Sequence, residues 1–200
     1  MRTLPFAIFA LAAAVLIARW DAIPETWAVH WNAADVADGF ATKSPASVLG
    51  PLAVGAFVVG LVEIVTRASL ARGGADDEIR AASRRFVTWI SSGVALVVAM
   101  LAVALPLAAP TSGAHLAVVA LVIVLGSLAG GLATMPWKAT GDGWYGVVYK
   151  NAEDPRLWVP KRLGVGWTVN FGHRAAVPVT LALVLGPIVV AVAVALASRR

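Results

Sequence analysis

The sequence predicts an all-α, polytopic membrane protein with about five transmembrane helices. Of its 200 residues, 60% are hydrophobic and only 14% are charged, and the mean hydropathy is +0.82. That composition excludes a water-soluble enzyme core. Charged residues leave four long uncharged stretches, of 16, 19, 52 and 24 residues. Because one bilayer crossing needs about 20 apolar residues, the 52-residue stretch holds two spans and the total is five.

These spans divide the chain into four segments. Residues 1–66 contain the first two spans, about 4–20 and 48–65, and the loop 20–47 between them. Residues 67–135 contain a loop followed by spans three and four, about 86–109 and 116–135. Residues 136–174 form a separate module, and residues 175–200 hold the fifth span and the tail. In span four, Gly126 and Gly130 form a small-x3-small motif that is typical of helix packing.

Lys and Arg residues are unequally distributed between the two sides of the spans. Twelve lie on the side of the N-terminus, and the other four are Arg19, Lys43, Arg199 and Arg200. The positive-inside rule therefore predicts a cytoplasmic N-terminus, an outer loop at 20–47, a cytoplasmic module at 136–174 and an external C-terminus. The same rule accounts for the net charge of +5, so we expect no nucleic-acid partner.

The first loop is too apolar for a free linker. Its alternating Trp27, Val29 and Trp31 predict a short extended segment, and Asp38-Gly39 is a turn dipeptide. We therefore expect compact structure here, packed on the membrane surface.

Eight residues of the first loop form a spaced pattern: Ile23, Pro24, His30, Trp31, Asn32, Asp38, Gly39 and Lys43. This pattern resembles the signature of the domain of unknown function 1648, found in bacterial membrane proteins. The resemblance covers about residues 20–60. It implies a protein of the bacterial cytoplasmic membrane related to immunity and signalling proteins for a sporulation-delaying peptide toxin. That family usually has a Ser-Gly-Glu-Pro-like stretch where this chain has Ala34-Asp-Val-Ala37.

The module contains a second recognisable stretch. Residues 147–149 and 157–159 flank an Asn-x-Glu-Asp-Pro turn, which predicts a small hairpin. The stretch 149–172 resembles the domain of unknown function 5808, which occurs in the same kind of membrane protein. Its candidate functional residues are Asn151, Asp154, Pro155, Arg156, Lys161, Arg162, Gly166, Trp167 and Asn170.

The polar groups of the first loop allow three interpretations. His30, Asn32, Asp35 and Asp38, with His115, could suggest a metal site, but they lack a repeated ligand spacing and we predict no metal or cofactor. His30 and Asn32 instead suit side-chain hydrogen bonds to the loop backbone. The same residues could also recognise an extracytoplasmic peptide, an option that comes mainly from the resemblance.

Two charged groups outside the first loop also have alternatives. Glu63 is the one acid inside an apolar span, which suggests ion transport, but Arg67 four residues later favours a snorkelling ion pair. Arg156, Lys161 and Arg162, flanked by Trp158 and Trp167, favour contact with anionic lipid headgroups, with a cytoplasmic regulator protein or small anion as the alternative.

Three function classes remain. The chain lacks Cys, and its sequence shows no Walker loop, dinucleotide glycine pattern, zincin motif or convincing Ser-His-Asp order, so we predict that it is not an enzyme. The leading hypothesis is an integral membrane protein that binds, senses or confers toxin immunity. The alternative is a transporter or channel subunit using Glu63, and a membrane enzyme based on the first loop is the third.

Overall fold

The computed structural model describes residues 3–72, 77–108, 112–135, 137, 142–162 and 166–197. Five helices dominate it: α1 (Leu4–Ala18), α2 (Pro45–Arg72), α3 (Asp77–Ala108), α4 (Gly113–Ala133) and α5 (Ala176–Ala197). Six short strands accompany them: β1 (Thr26–Trp31), β2 (Ala37–Thr42), β3 (Trp144–Tyr145), β4 (Val148–Tyr149), β5 (Trp158–Pro160) and β6 (Trp167–Val169). The mainly helical fold is therefore confirmed.

Three of these helices are long and apolar enough to cross a membrane, judged within the described residues: α2, α3 and α4. α1 is apolar but has 15 residues, and α5 contributes a described apolar run from Ala176 to Gly186. Helices thus lie at all five predicted positions, and the count of five spans remains a prediction.

The chain divides into two compact units. The first comprises residues 1–68 and 80–135, with α1, the strands β1 and β2, and most of α2, α3 and α4. The second comprises residues 69–79 and 136–200, with the four remaining strands and α5.

α2 starts earlier than expected, because two serines cap it. The Ser47 amide donates to Ser44 Oγ at 3.1 Å, and the Ser44 amide donates to Ser47 Oγ at 3.0 Å. This reciprocal pair satisfies amides that a helix start leaves free. Pro45 is the first helical residue, and Pro51 lies inside the helix.

The core of the first unit lies between α1, α2 and α3 and extends to the β1–β2 hairpin. Phe9 and Leu16 of α1 are buried against residues of the other two helices. Gly55 permits this close packing, since a Cβ there would lie 3.0 Å from the Phe9 ring and 3.1 Å from Val98 Cγ1. Trp27 of β1 joins the same core, so the hairpin is packed onto the helices.

α4 packs on α3 through small residues, one position away from the predicted motif. Ser127 and Gly131 are buried, whereas a Cβ at Gly126 would meet nothing within 4 Å. Gly93 of α3 lies against Ser127, and Gly130 and Gly131 lie against aromatic rings of α3. The helix-packing prediction was right for Gly130, but Gly126 faces away and Ser127-x3-Gly131 is the buried small-x3-small pair.

The strands of the second unit pair differently from the hairpin that we predicted. β3 pairs with β4, β5 pairs with β6, and a parallel bridge joins Tyr149 to Asn170. The predicted pairing of residues 147–149 with 157–159 was therefore wrong. The reason is that Gly146, with φ of 61°, closes a tight turn between β3 and β4 and gives β4 a nearer partner.

Candidate binding groove

The first loop folds into an antiparallel hairpin. The alternating Trp27, Val29 and Trp31 form β1, as predicted, and Thr26 pairs with Thr42 at its open end. The turn was predicted wrongly, because Asp38 and Gly39 lie inside β2 and the reversal occurs between Asn32 and Val36.

Asn32 stabilises that turn. Its Oδ1 accepts hydrogen bonds from the amides of Ala34 at 2.9 Å and Val36 at 3.1 Å, and its own amide donates to the Val36 carbonyl at 2.9 Å. Asp35 adopts φ of 56°, a left-handed conformation that Asp tolerates better than most residues. Asn32 thus makes the kind of backbone bond expected of it, and Asp35 takes a glycine-like conformation.

The His30 side chain bonds another side chain rather than the loop backbone that we predicted for it, because Asp38 lies across from it on β2. His30 Nδ1 and Asp38 Oδ1 are 2.5 Å apart on the exposed side of the hairpin. His30 is opposite Gly39 at a bulge, where a Cβ on residue 39 would lie 2.9 Å from His30 Cβ. Gly39 therefore provides the room that the His30 side chain needs.

Lys43 lies at the open end of the hairpin. Its Nζ donates to the Ile23 carbonyl at 3.0 Å and lies 5.6 Å from the centre of the Trp20 ring. Ile23 is buried in the core of the first unit. Lys43 therefore ties the end of β2 to the chain before β1, away from His30 and Asn32.

Asp35 connects the hairpin to the N-terminus of α4. Its Oδ2 accepts from the Ser112 hydroxyl at 2.5 Å, and its Oδ1 accepts from the amides of Gly113 at 2.8 Å and Ala114 at 3.2 Å. A carboxylate at a helix N-terminus satisfies free amides and complements the helix dipole. We call this contact between Asp35 and residues 112–114 the Asp35 clasp.

The clasp borders an open groove of about 410 Å³, which we call the hairpin groove. Trp31 packs against Gly113, where a Cβ would lie 3.0 Å from the indole. The lining comes from β1, the turn and the first two turns of α4: Val29, His30, Trp31, Asn32, Ala33, Asp35, Gly113, Ala114 and Ala117. Three predicted site residues, His30, Trp31 and Asn32, therefore line one open groove.

Within the described residues, no group of three or more His, Asp or Glu side chains is arranged to hold a metal ion. The two carboxylates near the groove are already bonded, Asp38 to His30 and Asp35 to α4.

The Ser112 hydroxyl and the α4 amides hold the pKa of Asp35 below its ordinary value of 3.8, helped by the nearby His115. A lowered pKa means that the clasp is at full strength above pH 3.8 and is lost as the pH falls through the lowered value. Spin labels on Val36→Cys and Val118→Cys, both exposed, would report this. We expect a narrow distance distribution at about pH 7 that broadens as the pH is lowered below 3.8. Asp35→Asn should give a broad distribution throughout, and a wild-type distribution that is as broad at about pH 7 as that of Asp35→Asn would contradict the clasp.

In the second unit, Asn170 is the centre of the predicted module residues. Its side chain is fully buried, and Oδ1 accepts from the amides of Asn151 at 3.0 Å and Gly172 at 2.9 Å. Its Nδ2 donates to the carbonyls of Asn151, Asp154 and Arg156, at 2.8, 3.1 and 3.2 Å. Asn170 therefore holds the whole 151–156 turn on β6.

Asp154 and Arg156 form a bidentate ion pair within that turn. Arg156 Nε and Nη2 donate to the two carboxylate oxygens at 2.9 and 2.7 Å, and the Tyr149 hydroxyl donates at 3.1 Å. The Arg156 guanidinium is the main reason why the pKa of Asp154 lies far below its ordinary value. The same pairing raises the pKa of Arg156. Pro155 lies between Asp154 and Arg156 in the chain. The ion pair therefore links two residues of the turn and stabilises its shape.

The remaining module residues surround the β5–β6 ladder. The Lys161 amide donates to the Gly166 carbonyl at 3.0 Å, and Gly166 has φ of 110°, which favours glycine. Trp167 pairs with Pro160 and is exposed, and Arg162 follows Lys161 at the end of the ladder.

Glu63 and Arg67 of α2 form the predicted pair, with Arg67 Nη2 3.6 Å from Glu63 Oε2. Glu63 is only 9% exposed, whereas the Arg67 side chain is 56% exposed. The arrangement is that of an ion pair between residues four apart on one helix, with the carboxylate buried and the guanidinium exposed.

Two segments of the chain match known families. Residues 7–55 match the family model described as Domain of unknown function (DUF1648), and residues 152–177 match Family of unknown function (DUF5808). Both resemblances drawn from the sequence are confirmed. No curated protein and no solved structure matches the chain.

Proposed function

We propose that this chain, with a DUF1648 domain at 7–55 and a DUF5808 segment at 152–177, is a multi-pass membrane protein that binds an extracytoplasmic peptide. The hairpin groove is the single observation that carries the proposal. Binding there would serve sensing or toxin immunity, without catalysis. The proposed location is a bacterial cytoplasmic membrane, with the N-terminus inside and the C-terminus outside.

The Asp35 clasp supports the proposed arrangement of spans. It joins the loop between α1 and α2 to the start of α4, so both lie on the same side of the membrane. That is what alternating spans require if α2 and α3 each cross once. The five-span count then needs α1 and α5 to cross as well.

The groove combines apolar walls with polar atoms that can form hydrogen bonds to a ligand. Val29, Trp31 and Ala117 provide apolar surface. Among the described residues, the Asn32 amide nitrogen and His30 Nε2 have no protein partner, although each side chain is held by its other polar atom. A positioned amide donor beside an indole suits a peptide, because it can bind a backbone carbonyl while the indole covers an apolar side chain.

The same geometry favours binding over catalysis. The Ser112 hydroxyl donates a hydrogen bond to Asp35, and the His30 imidazole is paired with Asp38. The histidine therefore does not activate the serine as a nucleophile. The groove thus presents recognition groups rather than an activated nucleophile.

The transporter alternative depends on Glu63. Its position beside Arg67 supports an ion pair instead, so we expect Glu63→Gln to retain full function in the assay below. Loss of function with Glu63→Gln alone would favour transport.

The proposal is tested by deletion and complementation in the native host, scoring survival under endogenous peptide toxins. Asn32→Asp keeps an acceptor for the Ala34 and Val36 amides but loses the free amide donor. We expect normal protein levels and at least a tenfold loss of protection, as also for His30→Ala. Val36→Ala, at an exposed turn position outside the groove lining, is the control. Wild-type protection by both groove variants would contradict peptide recognition.

A further inference from the structure

One face of the β5–β6 ladder carries exposed indoles. Cross-strand partners point to the same side of a ladder, and Trp167 pairs with Pro160, two residues after Trp158. Trp158 and Trp167 are 43% and 62% exposed. Val159, on the opposite side, is buried, and so is Val169, which pairs with Trp158 on the same side. We call Trp158, Pro160 and Trp167 the indole face.

Basic residues border this face. Lys161 and Arg162 directly follow Pro160, and the hydrogen bond from Lys161 to Gly166 keeps this end of the ladder closed beside Trp167. The Lys161 side chain is exposed. The end of the ladder therefore combines apolar surface with an exposed positive charge.

The indole face is also tethered close to an apolar helix. Eight residues separate Trp167 from Ala176, where α5 begins. The nine Cα–Cα steps from Trp167 to Ala176 span about 32 Å at most when fully extended. If α5 enters a bilayer near Ala176, the face cannot leave the vicinity of the membrane surface.

We propose that the indole face docks on an anionic lipid bilayer, with Trp158 and Trp167 at headgroup depth and Lys161 at the phosphates. Tryptophan is enriched at this depth because its ring is amphipathic, and each basic residue near an anionic surface adds attraction. This inference concerns a different surface from the hairpin groove and does not depend on the proposed function.

The test uses the absence of cysteine from the chain. Pro160→Cys places one fluorescent label on the face and leaves both indoles intact, and Glu153→Cys, in the exposed part of the 151–156 turn, is the matched control. The labelled full-length protein is placed in nanodiscs of phosphatidylcholine, with or without about 30% phosphatidylglycerol and with headgroup-depth nitroxide lipid. We expect at least threefold stronger quenching at 160 than at 153 in the anionic discs, and a clear loss of that difference in phosphatidylcholine alone.

Trp167→Ala in the Pro160→Cys background should reduce the quenching toward the control. Proteolysis at Arg156 checks that this variant keeps its fold. Equal quenching at both positions in anionic discs would overturn the proposal. Quenching at position 160 that is the same in anionic and in phosphatidylcholine discs would also overturn it. A label shielded from aqueous quencher but not reached by the nitroxide lipid would show that a protein covers the face instead.

Discussion

Replacing Asn170 with alanine should unfold the 151–156 turn. The change removes five hydrogen bonds and leaves two amides and three carbonyls without their partner at a fully buried position. Each buried group left unpaired costs about 1–3 kcal/mol. Because water can bond some of these groups, we expect the free energy of opening the turn to fall by about 3 kcal/mol. We therefore expect tryptic cleavage after Arg156 in the detergent-purified protein to accelerate about 100-fold, since about 1.4 kcal/mol corresponds to tenfold.

Two variants control this experiment. Asn170→Asp keeps the shape and the acceptor but loses the donor to three carbonyls, so it should be cleaved at least as fast as Asn170→Ala. Glu153→Ala, at an exposed position in the same turn, should be cleaved at the wild-type rate. Slow cleavage of both Asn170 variants would show that the turn holds without this side chain.

The second large effect is expected at the contact of α3 with α4. A Cβ at Gly93 would lie 2.5 Å from Ser127 Cβ and closer still to its hydroxyl, so Gly93→Ala must separate the helices or displace Ser127. Overpacking of this kind costs about 2 kcal/mol. The apparent melting temperature of the detergent-purified protein should fall by several degrees.

The same substitution at Gly126 is the matched control, because a Cβ there meets nothing within 4 Å. Gly126→Ala should leave the melting temperature unchanged or raise it, since alanine favours a helix over glycine. Adding Ser127→Gly to Gly93→Ala restores the space and should recover most of the loss. Equal effects of Gly93→Ala and Gly126→Ala would contradict the packing described here.

The helices and the first strand could be predicted from the sequence, because apolar run length and period-two alternation are local properties. The errors occurred where a side chain elsewhere decides the local structure. Asp38-Gly39 has the composition of a turn, but Asn32 captures two amides and places the turn earlier. In the same way, whether Gly126 or Ser127 faces α3 depends on the position of α3, and the sequence of α4 alone does not contain that information.

The candidate site was only partly predictable for the same reason. His30, Trp31 and Asn32 were identified from their spacing, and they do line one groove. The role of Asp35 was missed, since its partners at 112–114 are almost 80 residues away. The available signal was Ser112, a residue type that favours helix N-caps, directly before the apolar run of α4.

The most direct test of the central claim labels one groove residue in intact cells. Ala33→Cys introduces a thiol into the groove lining, and Glu153→Cys in the module is the control for the side that we propose to be cytoplasmic. We predict that a membrane-impermeant maleimide labels the Ala33→Cys variant in intact cells and the Glu153→Cys variant only after permeabilisation. A peptide toxin to which the protein confers resistance should slow labelling of the Ala33→Cys variant. Labelling of that variant only after permeabilisation, or at a rate that the toxin does not change, would contradict an outward-facing peptide groove.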